Sequence, residues 1–387
     1  MQVVFLYDFA YNEAIKCGTE DFYMTREQLT LDVINRKNTT YLPSQIEFAN
    51  LNKKMELAHA LGMRTEREVD EYLGNHIFWT AHLDDVPTHE LHNQKKMEEA
   101  AREGRCRIDT KRNRVIDGWR MEFELDATGY NNLAHPLEGL EDEPELLDTY
   151  HAPDVSEDKM DMLFRSAQED LKTYSGDYLV MMSGYNGIWE KSYNIVGMED
   201  FMCLLITEPD LACQVMDVIA DYKIAMARET GKRGFKVGHF GDDLGTQVST
   251  IVSEEIFVKY FKPRYAKVFA AFKESGIPVQ MHSCGNITPF IPHLIDIGLD
   301  ILEPVQTCMD LNFLKKEYGK DLIFYGGVDT QELLAFKSPE EVREQTLRTI
   351  DILGKGGGYI CGPSQEIMDN VPVKNVIALA EAIRESR

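Results

Sequence analysis

The chain contains no run of about 18 consecutive apolar residues, the length a helix needs to cross a bilayer. Its first ten residues hold Asp8 and no basic residue ahead of the short apolar stretch Val3-Val4-Phe5-Leu6, so the charged start of a secretory leader is missing. Both absences point to a cytoplasmic protein without a membrane partner. Basic charge is also scarce: 41 Lys and Arg against 65 Asp and Glu leave −24 over 387 residues, with a sequence pI near 4.8. A surface that neutralises phosphates must be basic, which excludes nucleic acid as a partner and disfavours a polyanionic substrate. The seven cysteines, Cys17, Cys106, Cys203, Cys213, Cys284, Cys308 and Cys361, are odd in number and widely spread. That excludes a disulfide framework and leaves free thiols or metal ligands.

What the chain does have is a composition that can bury a large core, 43% hydrophobic and 27% charged. From residue 177 onward short apolar runs alternate with amphipathic stretches, the pattern of βα units around a parallel sheet. Strands are expected at 177–183, 235–240, 277–281, 300–304, 322–326 and 358–361, and a seventh upstream at 41–48. Helices are expected at 51–61, at 253–275, and at 338–353, where Ser-Pro-Glu-Glu supplies a cap, a first-turn proline and an acidic first turn. Residues 66–160 break the rhythm with a helix at 66–73, a basic stretch at 95–120, a hairpin at 114–125 and an acidic loop at 138–148. The expectation is an α/β protein, a (β/α)8 TIM barrel. It has an N-terminal extension at 1–40, one catalytic domain at 41–387 and an insertion at about 66–160 that hides the eighth strand. A doubly wound open sheet is the alternative.

In either architecture ligands bind at the carboxyl ends of the strands. Those ends are polar: Gly184-Tyr185-Asn186-Gly187, then Asp242-Asp243 leading to Gln247, then His282-Ser283-Cys284, Glu303 to Gln306, Asp329, and Cys361 to Gln365. Imidazole with thiolate is a donor set that zinc favours, so His282 and Cys284 are metal candidates with Cys361 as a third. Asp242, Asp243 and Glu303 are the candidate catalytic acids or bases, because carboxylates crowded in a closed mouth push one another's pKa upward. Tyr185, Asn186, Gln247, Asp329 and Gln365 are candidates for positioning a substrate, with Trp189 as an aromatic wall.

Gly241-Asp-Asp-Leu-Gly-Thr-Gln247, Tyr260-Phe-Lys-Pro-Arg264, His282-Ser-Cys-Gly-Asn286, Tyr325-Gly-Gly-Val-Asp329 and Pro372-Val-Lys-Asn375 together resemble the uroporphyrinogen decarboxylase-like superfamily. More closely, these blocks resemble its corrinoid-dependent methyltransferase branch, over about residues 23–387. The Arg-Gln-Ala-Gly-Arg-Tyr motif with which decarboxylases of that superfamily hold a polycarboxylate is absent. The resemblance implies zinc bound by His-x-Cys with a later Cys. Here Gln365 takes the place of that Cys, and Cys361 stands four residues earlier. A Glu-x14-Glu-x20-His zinc motif described for O-demethylase-type first methyltransferases has its spacing in Glu56, Glu71 and His92.

The function the resemblance implies is transfer of a methyl group from a small methylated donor, an aryl methyl ether, to the cobalt of a separate corrinoid protein. The chain itself has no Asp-x-His-x-x-Gly corrinoid motif. Three alternatives stand beside it: methyl transfer from the corrinoid to a thiol or folate, decarboxylation of a smaller acid, and a silent barrel serving as scaffold. A homodimer is the default oligomer of soluble enzymes.

Overall fold

The computed structural model describes residues 24–80, 93–125, 132–184 and 186–387. Short runs of branched and aromatic residues, apolar on both faces, form parallel strands that are buried inside and out. In chain order the strands are β1 (Ile77–Thr80), β2 (Cys106–Asp109), β3 (Arg114–Asp117), β4 (Glu122–Glu124), β5 (Asn132–Ala134), β6 (Leu179–Met182), β7 (Gly238–Gly241), β8 (Val279–His282), β9 (Ile301–Val305), β10 (Ile323–Val328) and β11 (Tyr359–Pro363). β1 pairs in parallel with β6, and β7 through β11 pair in parallel in sequence order. The eighth strand expected within 66–160 is therefore β1.

Residues 43–48 close the ring between β11 and β1. Ser44 and Phe48 bridge in parallel to Cys361 and Ile367, and His76 N donates to Ser44 O at 3.0 Å. On the β1 side, side chains stand in for a backbone ladder. Asn75 Oδ1 accepts from Ile46 N at 2.9 Å, and Gln45 Oε1 accepts from Ile77 N at 2.9 Å. Between β6 and β7 the contact is carried by Gly241 N donating to Gly184 O at 2.7 Å. The result is the (β/α)8 TIM barrel expected from the sequence.

The barrel interior is filled by Ile77, Leu179, Met181, Val237, Ile301, Ile323 and Ile360, with Ile34 of the helix Arg26–Ile34 packed into the same cluster. The alternate residues Val180, Phe240, Met281, Leu302, Phe324 and Cys361 face the helices in a second, larger apolar cluster. Three strands begin two or more residues later than the sequence suggests, β6 at Leu179, β7 at Gly238 and β8 at Val279, because the buried residues Tyr178, Phe235, Val237 and Ile277 belong to the approach to each strand.

Helices expected at 51–61 and 66–73 are observed as Leu51–Leu61 and Glu66–Leu73, and that at 338–353 as Pro339–Leu353 with a capping box from Ser338 and Glu341. The long helix at 253–275 contains a π turn at Phe257–Phe261. The insertion forms the antiparallel sheet β2-β3-β4-β5. It docks through Trp119, which is fully buried, edge-on to Tyr222 at 5.0 Å and beneath Lys191 Nζ at 5.1 Å. Among the described residues no helix is long and apolar enough to cross a membrane.

Candidate active site

Two loops at the carboxyl end of the barrel lie backbone against backbone. A Cβ on Gly245 would stand 2.8 Å from Cys284 O, and one on Gly285, whose φ is +85°, would stand 2.3 Å from Gly245 C. Only glycine permits that approach. It lets Asp243 Oδ1 accept from Cys284 N at 2.8 Å, which draws the loop after β7 onto the loop after β8. Asp243 Oδ1 then lies 3.5 Å from His282 Nε2, and Cys284 Sγ lies 3.6 Å from the same nitrogen.

His282 Nδ1 pairs with Glu303 Oε2 at 2.7 Å. A carboxylate only accepts, which places a ring proton on Nδ1 and turns Nε2, the nitrogen free to bind a metal once deprotonated, toward Asp243 and Cys284. Gln306 braces the thiol. Its Oε1 accepts from Gly285 N at 2.7 Å, while its Nε2 donates to Ser364 O at 3.0 Å and stands 3.7 Å from Cys284 Sγ. The amide oxygen of Gln365 lies 4.0 Å from the same sulfur.

One donor atom each from Asp243, His282 and Cys284 lies within 4.8 Å of the others. Tetrahedral zinc, with bonds of about 2.0–2.3 Å, holds its donors roughly 3.3–3.8 Å apart. The separations from His282 Nε2 to Asp243 and Cys284, 3.5 and 3.6 Å, fall in that range, and carboxylate, imidazole and thiolate are all zinc donors. The three residues therefore fit a zinc ion.

Beside this cluster a small cavity of about 20 Å³ is lined by Glu47, Trp79, His282, Glu303, Tyr325, Gln365 and Glu366. That is room for about one water or ion.

The carboxyls around the mouth differ in character. Burial, reinforced by Glu303 and Glu366, pushes Glu47 up to about 8, against the pull of hydrogen bonds from Trp79 and Tyr325. Burial, with Asp242 and Asp243 nearby, likewise pushes Glu190 up to about 8. Asp242 is pushed to about 6 by burial, although the Tyr265 hydroxyl and the amides of Glu190 and Trp189 hold it down. For Asp243 burial acts upward but is outweighed by His282 and the Cys284 amide, so this carboxyl lies below its ordinary value. Burial raises the Cys284 thiol.

The structure brings Asp243, His282, Cys284, Glu303 and Gln365 together, and it corrects other expectations. Cys361 does not join the cluster: it alternates with Ile360, faces the helices, and is fully buried among apolar side chains. Asp242 is sealed from the mouth. Its carboxylate accepts from Trp189 N at 2.7 Å, Glu190 N at 2.8 Å and the Tyr265 hydroxyl, and so caps the helix Ile188–Val196. Trp189 is 1% exposed and packs edge-on to Tyr193 and Phe261, so it is core and not a substrate wall.

Asp329 accepts from Glu332 N and Leu333 N, both at 2.8 Å, and caps a short helix. Gln247 is exposed on its loop. Asn186 accepts from Asn194 Nδ2 at 3.4 Å in a left-handed conformation, φ +52°. Tyr185 and His92 lie outside the described residues. Glu56 and Glu71 form ion pairs with Lys53 at 2.8 Å and Arg67 at 3.1 Å within their own helices.

Glu47, Trp79, Tyr325, Gln306 and Glu190 were missed by sequence reasoning. Tyr325 and Gln306 stood inside blocks already noted and could have been found by asking which residue of each strand faces inward. Trp79 sits on the strand that had not been located.

A profile of the family described as uroporphyrinogen decarboxylase (URO-D) matches residues 122–386. The chain is 24% identical over 201 residues to a methylated-thiol–coenzyme M methyltransferase of Methanosarcina mazei, a match covering 50% of each chain. It is 22% identical over 180 residues to the methylcobamide:CoM methyltransferase MtbA of Methanosarcina acetivorans, covering 46% of this chain and 51% of the relative. The chain thus spans about half the length of the curated relatives it matches. A solved methyltransferase from Methanosarcina mazei superposes with a TM-score of 0.64 at 17% identity, over 94% of this chain and 99% of that one, and bears on the fold alone.

Proposed function

The chain belongs to the uroporphyrinogen decarboxylase family, and from that premise we propose that it transfers a methyl group from a small methylated donor, an aryl methyl ether, to the cobalt of a separate corrinoid protein. The observation that carries this reading is the convergence of Asp243, His282 and Cys284 at the barrel mouth in zinc-ligand geometry. The methyltransferase activities printed for the relatives support it.

Cobalt(I) is a strong nucleophile, so the enzyme's task lies with the leaving group. A methoxyl oxygen departs poorly unless it is protonated or bound to a Lewis acid. Zinc held by Asp243, His282 and Cys284 would supply Lewis acidity toward the donor's heteroatom. Glu303 fixes the imidazole through Nδ1, and Gln306 fixes the loop that presents the thiol. Trp79 and Tyr325 line the cavity and donate to the Glu47 carboxyl. In this reading a separate partner brings the corrinoid to the barrel mouth.

The relatives' activities favour a second reading, methyl transfer to a thiol. Gln365, at 4.0 Å from Cys284 Sγ where the resemblance places a further Cys, argues against it, since an amide is a poorer zinc ligand than thiolate.

The test is spectroscopic. The purified chain is mixed with a reduced corrinoid protein and methoxylated aromatics, and the cobalt(I) absorbance is followed. We expect its loss with at least one donor, about one zinc per chain by elemental analysis, and absence of both in His282→Ala. An unchanged cobalt(I) spectrum with every donor would overturn the methyl-transfer reading. A zinc-free active enzyme would overturn the metal half alone.

A further inference from the structure

Glu47 belongs to none of the sequence blocks that mark the site, yet its carboxyl lines the same cavity as His282 and Glu303. Its setting is specific. Trp79 Nε1 and the Tyr325 hydroxyl both donate to one oxygen, Oε1, the latter at 3.1 Å. With two donors on Oε1, a neutral Glu47 carries its proton on Oε2 and is ready to donate it.

Among the acids of the mouth, Glu190 does not line this cavity, Glu366 lines it as the like-charged neighbour that raises Glu47, and three others are committed elsewhere. Glu303 accepts from His282, Asp243 accepts from Cys284 N, and Asp242 is closed off by two amides and a phenol. Burial and the neighbouring carboxylates Glu303 and Glu366 keep Glu47 protonated through neutral pH.

From this arrangement we infer that Glu47 is the proton donor to the leaving oxygen, and that the donor is a neutral methyl ether whose departing group needs a proton. The inference rests on the methyl-transfer reading above. In the step, the methyl–oxygen bond breaks with its electron pair left on oxygen, and the Glu47 proton turns that oxygen into a hydroxyl. Cobalt(I) supplies the pair for the new carbon–cobalt bond and becomes formally cobalt(III). Glu47 is left ionised and regains a proton from water.

The groups facing Glu47 are Glu303 from β9, Tyr325 from β10, His282 from β8, Glu366 beyond β11 and the Trp79 indole from β1. Two of them make the inference testable in opposite directions. Glu366 raises the Glu47 pKa and the Tyr325 hydrogen bond lowers it.

The experiment measures cobalt methylation against pH with two donors, the methyl ether of a weakly acidic phenol and that of a nitrophenol. The wild type is expected to lose activity as pH rises through about 8 with the first donor. Glu47→Gln keeps an acceptor for Trp79 and Tyr325. It is expected to be slowed roughly 100-fold or more on the first donor, with no alkaline limb, and only a few-fold on the nitrophenyl ether, which leaves without help. Glu366→Gln should move the wild-type limb to lower pH and Tyr325→Phe to higher pH. These two shifts decide the matter even if Glu47→Gln does not fold. Wild-type rate and pH limb in Glu47→Gln, or limbs unmoved in both other variants, would overturn the role of Glu47 while leaving methyl transfer standing. A wild type that methylates no cobalt with either donor is the separate failure of the methyl-transfer reading, and overturns both.

Discussion

Glu190 sits half-buried where Asp242 and Asp243 already place two carboxyls. An ionised carboxylate there has lost hydration and gained like-charged neighbours, so folding raises its pKa to about 8 from an ordinary 4.5. Linkage gives the sign. The stability that the protonated group contributes is full below about 4.5 and is lost as pH rises through about 8. Glu190→Gln, which cannot ionise, should therefore melt at nearly the wild-type temperature at pH 5 and roughly 2–4 °C higher at pH 9. A gain equal at both pH values would show that the carboxyl is not strained by its charge. At this scale the sequence reading was uneven for a physical reason. His282, Cys284 and Asp243 could be picked out because they follow a strand end. Cys361 could not be placed, because which face a strand side chain takes depends on register, and one residue of register reverses it.

The helix Ile188–Val196 shows how one element's capping depends on another. Its N-cap residue, Gly187, has no side chain to offer, so the first-turn amides of Trp189 and Glu190 are satisfied from a different strand end by Asp242, itself held by Tyr265. Asp242→Ala would leave two amides and a phenol without this acceptor in a buried site. We expect it to lower unfolding stability by roughly 2–4 kcal/mol in urea titration. Tyr265→Phe, which removes one donor and leaves both amides satisfied, should cost about 1 kcal/mol. An Asp242→Ala protein of wild-type stability would mean that the carboxylate is held for chemistry and not for the helix. Element type and order were largely legible: the periodicity places the βα units, and the Ser338 capping box is visible as Ser-Pro-Glu-Glu. The eighth strand was not, because β1 is only four residues long and opens an insertion. The partner segment 43–48 is held on that side by the amide side chains of Gln45 and Asn75, which leave no apolar pattern to read.

Across the whole molecule local charge pairs and the net charge act on stability in opposite directions. Many basic side chains pair with acids on the outer helices, as in Lys54–Asp70 at 2.7 Å, Arg228–Glu274 at 2.8 Å and Lys262–Asp296 at 2.7 Å. Such exposed pairs contribute about 0–1 kcal/mol each. The excess of 24 negative charges acts the other way, as a self-repulsion that favours the expanded chain. Salt screens both effects, and which one dominates depends on pH. Near pH 8.5 the acids are ionised and Glu47 and Glu190 have largely joined them, so the net repulsion is at its largest. Near pH 5, close to the sequence pI of 4.8, it has almost vanished and the local pairs are what salt can weaken. Raising sodium chloride from about 10 to about 200 mM, which shortens the screening length from roughly 30 to roughly 7 Å, should increase the melting temperature at pH 8.5 and leave it unchanged or slightly lower at pH 5. The same salt response at both pH values would show that net charge does not govern stability here.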